Sequence, residues 1–255
     1  MNRDPRQLAY LKAMGIDVWV QRNVVPTVAA VPVVEETVPS IPKVVTEGGE
    51  DIPLSHNDVS VVKSLDWSDL KQQVVNCQLC ELHATRTQAV FGVGNQQADW
   101  LIVGEAPGAD EDRQGEPFVG RAGQLLNEML KAIGLKREQV YIANILKCRP
   151  PNNRDPKPEE AASCSPYLQR QIELIQPKVI LALGRIAAQR LLQSNTSLAR
   201  LRGQVHHLET TQSPVIVTYH PAYLLRSPAE KRKAWQDLQF ARKYVAQAME
   251  SESGS

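Results

Sequence analysis

The four cysteines of the chain are spaced like ligands of a single metal centre. Cys77 and Cys80 form a Cys-x-x-Cys pair, and Cys148 and Cys164 follow at a distance. The short gap lets two thiolates reach one metal centre, and two distant cysteines can complete a four-thiolate shell. In a reducing compartment such cysteines are more often metal ligands than disulfides. The pattern therefore predicts a zinc ion or an iron–sulfur cluster, and the spacing alone leaves both open.

Length and composition indicate one globular domain with appendages. At 255 residues, one domain of about 150–200 residues is expected, with the remainder outside it. No stretch approaches the roughly 18 apolar residues of a membrane span. The N-terminus lacks the charged and apolar regions of a secretory signal. We therefore expect a cytoplasmic protein with no membrane partner.

The net charge of +1 is unevenly distributed along the chain. Residues 1–33 carry a net +2, residues 34–58 a net −5 and residues 59–255 a net +4. The C-terminal part is thus mildly basic. This is compatible with a polyanionic partner but does not prove one.

The first 66 residues have the composition of appendages. Residues 24–66 are rich in prolines, valines and acidic residues, and prolines at this density predict a disordered linker. Residues 1–23 contain an amphipathic segment, from Leu8 to Trp19, of the kind that docks on a partner. The alternative is an element that returns to the core of its own chain. These boundaries leave residues 67–249 as the main domain and 250–255 as a disordered tail.

Beyond Trp67, apolar runs alternate with helical patterns. Four runs indicate buried strands that end in polar or glycine-rich turns, at residues 100–103, 140–143, 179–183 and 215–219. Helices are predicted at residues 123–133, 158–175, 185–193 and 228–249. This alternation predicts an α/β fold of three layers, αβα, with a central four-stranded parallel sheet. Such sheets bind ligands beyond the carboxyl ends of their strands.

The first strand runs into a turn with the sequence Gly-Glu-Ala-Pro-Gly. Its backbone N–H groups, from Gly104 to Ala106, can approach a ligand closely, and Glu105 projects from it. A plain connection is the alternative.

Further along, Phe118 lies among glycines and a proline, where an aromatic ring does not pack inside a regular element. We interpret it as a stacking platform for a planar ligand or as a loop anchor.

Two further strand ends are polar. Asn144 combines a donor and an acceptor, which matches a pyrimidine edge, although asparagine also forms turns. His220 ends the fourth strand before a proline, where it is available as a hydrogen-bond donor or an acid. The loop after Asn144 is basic and suits phosphate contacts, unless its charges are only solvated; its cations include Lys147, Arg149 and Arg154.

Together these motifs resemble the family 4 uracil-DNA glycosylases, which carry an iron–sulfur cluster. The match runs from about Cys77 to Tyr244. Besides the four cysteines it includes Gly-Glu-Ala-Pro-Gly, Gly-Glu-Pro-Phe-Val-Gly-Arg-Ala-Gly-Gln-Leu-Leu, Asn-Ile-Leu-Lys-Cys-Arg-Pro-Pro and His-Pro-Ala-Tyr-Leu-Leu-Arg. The resemblance implies a uracil-DNA glycosylase-like catalytic domain at residues 67–249. It also implies a structural 4Fe-4S cluster on Cys77, Cys80, Cys148 and Cys164.

The resemblance also implies residue roles. Phe118 would stack on a uracil flipped out of DNA, Asn144 would read its edge, and His220 would hydrogen-bond its carbonyl oxygen. Gly104 and Ala106 complete the expected uracil-binding set, and Arg226, which ends the last motif, joins the loop cations as a DNA-contact candidate.

Breaking the glycosidic bond builds positive charge on the sugar and negative charge on uracil. His220 and the turn N–H groups would stabilise the departing anion. A carboxylate near the sugar would stabilise the cation or orient water, and Glu105 is the first candidate, with Asp110 second. Related glycosylases have an aspartate where this chain has Ala106, so the resemblance does not identify the water-activating group.

The main hypothesis is thus a monofunctional, monomeric, nucleoid-associated uracil-DNA glycosylase that acts on uracil-containing DNA and starts base excision repair. The rival is a non-catalytic DNA- or replisome-binding module with zinc in the four-thiolate site. Separately, Leu11 to Arg22 is similar to the N-terminal peptide of the clamp-loader psi subunit, which docks on the tau/gamma collar. That likeness implies that residues 1–23 bring the chain to the clamp-loader tau/gamma subunit.

Overall fold

Six strands form the sheet at the centre of the chain in this computed structural model, which describes residues 59–253. In chain order they are β1 Val93–Gly94, β2 Trp100–Gly104, β3 Tyr141–Asn144, β4 Val179–Leu183, β5 Val205–His207 and β6 Pro214–Thr218. Their order across the sheet is β1-β3-β2-β4-β6-β5. The four central strands are parallel, as predicted, and β1 and β5 are antiparallel edge strands that the prediction lacked.

Helices cover both faces of the sheet, because each central strand is apolar on both sides. In β2, Leu101 and Val103 face one core cluster, and Trp100 and Ile102 face the other. This alternation follows from the two-residue period of a strand. The structure therefore confirms the three-layer αβα fold. The first layer contains the helices Pro158–Ile175 (α5) and Arg185–Leu191 (α6), and the second contains Arg121–Ala132 (α4), Pro221–Arg226 (α8) and Lys231–Ser253 (α9). The nine helices of the described residues are α1 Val59–Ser64, α2 Trp67–Val75, α3 Ala109–Gln114, α4 Arg121–Ala132, α5 Pro158–Ile175, α6 Arg185–Leu191, α7 Leu198–Leu201, α8 Pro221–Arg226 and α9 Lys231–Ser253.

The folded region extends beyond the predicted domain at both ends. Residues 59–64 form α1, and Val62 is buried against Leu70 and Tyr167. The prediction of a disordered linker is therefore wrong for residues 59–64. At the other end α9 continues to Ser253, so residues 250–253 are helical rather than a disordered tail. The proposed docking peptide, residues 1–23, and the linker up to residue 58 lie outside the described residues.

The topology brings the polar strand ends together. The chain passes from β2 to β3 on one side and then crosses to β4 on the other side of β2. A crevice at such a switch point is where ligands of open parallel sheets bind. Among the described residues, no helix is both long and apolar enough to span a membrane.

Candidate active site

Gly104, Asn144 and Phe118 lie close together at the carboxyl ends of β2 and β3, and they define the candidate binding pocket. Gly104 pairs with Asn144 in the parallel register. A Cβ atom on Gly104 would lie 2.4 Å from Asn144 Oδ1 and 2.6 Å from Phe118 Cζ. A side chain at this position would therefore occupy the space that the amide and the ring face. The pocket depends on the glycine because of this close approach.

The amide of Asn144 is buried and incompletely bonded. The residue is 2% exposed, and its Oδ1 has no hydrogen-bond partner. An unsatisfied buried polar atom costs about 1–3 kcal/mol, and such groups in native proteins call for an explanation. A ligand that donates a hydrogen bond to Oδ1 supplies one.

The Phe118 ring lies beside the same glycine. It is 6% exposed and lies 5.6 Å from the His220 ring, centroid to centroid, at an angle of 33°. Its backbone has φ = 55°, in the left-handed region that bulky residues rarely adopt. The surrounding loop must therefore hold this residue in place. Gly123 makes room for it, because a Cβ there would lie 1.8 Å from the Phe118 carbonyl oxygen.

Glu111 holds the loop and was missed by the sequence analysis. Its Oε1 accepts hydrogen bonds from the N–H groups of Val119 (3.0 Å) and Gly120 (3.1 Å), directly after Phe118. Its Oε2 accepts one from the Gly108 N–H at 3.1 Å. One carboxylate thus joins the turn after β2 to the loop that carries Phe118. The signal was available, since Glu111 is the third residue of α3, where a capping-box glutamate is expected.

We expect Glu111→Ala to reduce uracil release about 10- to 100-fold, because the loop loses three charge-assisted hydrogen bonds and the ring loses its fixed position. Glu111→Gln, which keeps one acceptor oxygen, is the matched control and should lose less. Steady-state kinetics of both variants check the prediction. Equal, near-normal rates would show that the loop holds Phe118 without Glu111.

His220 ends the peptide that leaves β6 and caps α8. Its Nδ1 accepts a hydrogen bond from the Ala222 N–H at 3.1 Å, so in the neutral ring the proton lies on Nε2. Desolvation, helped by the charge of Arg226 and opposed by that of Glu111, lowers the pKa of His220 to about 4. At neutral pH the ring is therefore an uncharged Nε2–H donor. Gly184, at the end of β4, packs against it, and a Cβ there would lie 2.9 Å from His220 Cβ.

The two candidate carboxylates differ in their surroundings. Desolvation, with the charge of Asp155 and against that of Arg185, raises the pKa of Glu105 to about 7. Asp110, in the first turn of α3, forms an exposed ion pair with Arg113 at 2.5 Å. Glu105 is thus a partly buried carboxylate with a raised pKa, and it lies in the turn directly after β2. Gly104 is buried and Ala106 partly buried on either side of it.

The structure corrects one of the predicted DNA contacts. Lys147 is 1% exposed and its ammonium bonds inside the protein, so its assignment to phosphate is wrong. Arg154 is partly exposed and forms an ion pair with Glu160 at 2.5 Å. Arg149 is partly exposed and bonds Asn153, and Arg226 is exposed. These last two remain the most available of the predicted cations.

The four cysteines of the predicted metal site lie near enough to influence one another electrostatically. Within residues 59–253 no three His, Cys, Asp or Glu side chains form a ready-made metal shell. The cysteines nevertheless influence one another. Burial and the neighbouring Cys77 raise the pKa of Cys80. Burial, together with Cys80 and Cys77, raises the pKa of Cys148. Burial, with the charges of Cys148 and Cys80, raises the pKa of Cys164 to about 12. All four are free thiols.

Hydrogen-bond donors surround these sulfurs. Arg86 Nη1 donates to Cys148 Sγ at 2.9 Å, and its Nη2 donates to the Val75 carbonyl at 2.7 Å. The backbone of Leu82 opposes the rise in the pKa of Cys80, and that of Lys147 opposes the rise in the pKa of Cys164. Four soft ligands with N–H donors around them match what an iron–sulfur cluster requires.

Comparisons with known proteins agree with this geometry. Residues 91–239 match the uracil DNA glycosylase superfamily. The type-4 uracil-DNA glycosylase of Archaeoglobus fulgidus is 52% identical over 173 residues, 66% of this chain and 86% of that protein. Those of Sulfurisphaera tokodaii and Pyrobaculum aerophilum are 46% and 44% identical, over 62% and 68% of this chain and 76% and 92% of their own lengths. The chain therefore belongs to the uracil DNA glycosylase superfamily and, at these identities, to its type-4 members.

Proposed function

We propose that this uracil-DNA glycosylase takes uracil out of the DNA stack into the strand-end pocket and hydrolyses its N-glycosidic bond. The observation that carries the proposal is the orphaned, buried Oδ1 of Asn144 beside the ring of Phe118. A base inside a duplex must be flipped out before its glycosidic bond is accessible. In the pocket, uracil stacks on Phe118, donates N3–H to Asn144 Oδ1 and accepts at O4 from the amide Nδ2.

The chemistry follows from where charge develops. As the bond between N1 and C1′ breaks, N1 keeps the electron pair and uracil leaves as an anion. Its O2 accepts a hydrogen bond from His220 Nε2–H, which is a donor aimed at charge formed in the transition state. The ionised Glu105 stabilises the cationic sugar and orients the water that adds to C1′. One proton of that water neutralises the uracil anion. Asp110 is the second candidate for the carboxylate role.

The test of this function is direct. The purified chain is incubated with an oligonucleotide that contains one uracil, and abasic sites are cleaved with alkali. Strand scission at the uracil alone, and none in the matched thymine oligonucleotide, is expected. Intact strands from a cluster-loaded preparation would instead favour the non-catalytic DNA-binding module.

The pH profile tests the role of Glu105. Because its pKa is about 7 and the ionised form is the active one, kcat/KM should rise up to tenfold per pH unit below 7 and level off above it. Glu105→Gln removes the ionisation, so its profile should be flat through pH 7 and lie below the wild-type plateau. A Gln variant with the same pH 7 limb would assign that limb to another group.

Stacking on Phe118 is expected to contribute about 1–3 kcal/mol, as base–aromatic stacking does elsewhere. Phe118→Ala should therefore reduce kcat/KM for uracil release by about 5- to 150-fold. Phe118→Tyr keeps the aromatic face and serves as the control, with a smaller loss. If Ala and Tyr variants behave alike, Phe118 acts as a loop anchor and not as a stacking platform.

We further propose that Cys77, Cys80, Cys148 and Cys164 hold a 4Fe-4S cluster. The four thiols and the N–H donors around them fit this group, and Arg86 would compensate part of its negative charge. When bound, the cluster fixes the loops of the four cysteines rather than reacting with uracil. A brown protein with a broad band near 400 nm supports this proposal, and a colourless protein with stoichiometric zinc refutes it.

The N-terminal residues suggest a location for the enzyme. We propose that it is monomeric and cytoplasmic, works at the nucleoid, and docks on the clamp-loader tau/gamma subunit through residues 1–23. The support is the likeness of Leu11 to Arg22 to the psi peptide. A peptide spanning residues 1–24 should capture tau/gamma, and its Trp19→Ala version should not. No capture, or equal capture by both peptides, removes the idea.

A further inference from the structure

Arg202 and Asp237 form an ion pair that the chemistry above does not use. Arg202 directly follows α7, and Asp237 lies in α9. The guanidinium donates from Nε to Asp237 Oδ2 at 2.7 Å and from Nη2 to Oδ1 at 2.9 Å, and Nη2 also donates to the Lys233 carbonyl at 2.9 Å. Two parallel hydrogen bonds of this kind fix both the distance between the partners and their orientation.

The same pair holds the end of β6. Thr218, the last residue of the strand, donates from Oγ1 to Asp237 Oδ2 at 2.8 Å. The next residue, Tyr219, has its ring centroid 4.5 Å from Arg202 Cζ, which is a cation–π contact, and its hydroxyl accepts from Arg202 Nη1 at 3.4 Å. His220 follows directly. The ion pair therefore contacts both residues that precede the proposed donor.

Tyr219 also connects to the residues after His220. Its ring stacks on that of Tyr223 in α8, with centroids 5.3 Å apart and an angle of 15° between the planes. His220 is the cap of this helix, so it lies between two residues whose rings pack together. A displacement of Tyr219 is therefore passed to the histidine from both directions along the chain.

The fold alone does not explain this ion pair. Asp237 is 3% exposed, and the side chain of Arg202 is 13% exposed. Replacement of a buried ion pair by well-packed apolar side chains is often neutral or stabilising, because the charges lose their hydration. What the ion pair adds is direction. Its bonds select one arrangement of the partners, and they end on the two residues that carry the histidine.

We propose that Arg202 and Asp237 are positioning residues for the cleavage of the glycosidic bond. They fix the backbone at Thr218 and Tyr219, and this fixes the place from which His220 Nε2–H meets the uracil anion. A donor to charge that forms only in the transition state must be placed accurately, since an error of about 1 Å can cost about a hundredfold in rate. The inference rests on the donor role proposed for His220.

The first test is Arg202→Lys. Lysine keeps the positive charge beside Asp237, but it lacks the planar fork that bonds both carboxylate oxygens and lies on the Tyr219 ring. We expect the single-turnover rate of uracil release at saturating enzyme to fall about tenfold. The enzyme concentration that gives half of the maximal rate should stay nearly unchanged, because the donor acts after the DNA has bound.

Arg170→Lys is the matched control for this variant. Arg170 is also a partly buried arginine in an ion pair, but it pairs with Glu173 and donates to the Leu65 carbonyl. The same exchange at this position should leave the rate of uracil release at the wild-type value.

A double-mutant cycle with His220→Ala separates positioning from general stability. If Arg202 acts through His220, Arg202→Lys should slow uracil release about tenfold in the wild-type background and change the rate of His220→Ala by less than about twofold. A merely structural defect would lower both rates by the same factor.

Thr218→Val tests the contact of Asp237 with the strand, and it replaces Arg202→Lys where that variant does not fold. Valine keeps the shape of threonine and leaves the ion pair in place, but it removes the hydroxyl that bonds the carboxylate. Uracil release should slow by about threefold or more in the wild-type background and stay unchanged in the His220→Ala background.

The outcomes are distinguishable. A wild-type chain that does not release uracil refutes the proposed function and this inference with it. A normal rate in His220→Ala refutes the donor role and therefore the positioning. Where the wild type is active and His220→Ala is slow, equal losses in the two backgrounds, or no loss in either, overturn the role of Arg202 and Asp237 alone.

Discussion

Asn144→Ala is expected to reduce kcat/KM for uracil release by roughly a thousandfold, because two polar groups of the uracil edge are then left unpaired in a buried site, at about 1–3 kcal/mol each. The amide supplies both a donor and an acceptor to the uracil edge. Alanine leaves the pocket open but removes both. The drop is measured by single-turnover release of uracil from an oligonucleotide.

The stability of this variant should change little. The Oδ1 of Asn144 is buried and unbonded in the free protein, so its removal relieves an unfavourable term while it empties a small volume. We expect the melting temperature of Asn144→Ala to stay within a few degrees of the wild type. A large loss of stability together with the loss of activity would mean that the asparagine serves mainly the fold.

Asn144→Asp is the matched control for this prediction. It keeps the volume and one acceptor but replaces the donor by a second acceptor, which faces uracil O4. A position that merely fills the pocket would tolerate this change. We expect a loss close to that of alanine, and near-normal rates in the Asp variant would contradict the reading of O4 by this side chain.

The sheet and the pocket could be predicted because both depend on patterns local to each strand. Buried parallel strands are nearly continuous apolar runs, so their ends are visible, and the carboxyl ends of such strands share one edge. Asn144 and His220 could therefore be assigned to the same site. The contacts that set the hydrogen-bonding state of these side chains, such as the bond from the Ala222 N–H to His220, could be identified only from the structure.

Lys147 shows where sequence reasoning fails. It lies among arginines and a cysteine in a loop that resembles a phosphate-binding surface, and nothing in this pattern shows that the side chain turns inward. Its direction is set by Gln171, which lies on a helix far along the chain. Glu111 was missed for a different reason: its capping-box position was visible, but its partners Val119 and Gly120 were not.

The short elements were missed because tertiary contacts decide them. Helix α1 has only six residues, too few to be stable alone, and it is held through Val62 against Leu70. The edge strand Val205–His207 has three residues, two of them histidines, and forms because β6 offers it a free edge. Neither has a periodicity long enough to be recognised.

His220→Ala carries the second large expected effect, a drop in kcat of about 100- to 1000-fold with little change in KM. This is the loss usually seen when one preorganised donor to a developing anion is removed. The donor matters most when the charge forms, so binding of the intact substrate should be nearly preserved. His220→Gln can still present an N–H group from a similar distance and should recover part of kcat. A Gln variant no better than alanine would contradict the donor role.

The pH dependence separates the donor role from that of a general acid. Because the folded pKa of His220 is about 4, below the 6.5 of a free histidine, the native ring is neutral through most of the working range. A general acid would be protonated at the start and would lose activity above pH 4, whereas a neutral donor keeps it.

Protonation would also break the bond from the Ala222 N–H, since both groups would then be donors. The unfolded state binds the proton more readily, so stability should fall as the pH drops from 6.5 towards 4, and His220→Ala should lack this slope. Denaturant titrations of both proteins across this window measure the difference, and parallel slopes would refute the neutral, capped histidine on which the mechanism depends.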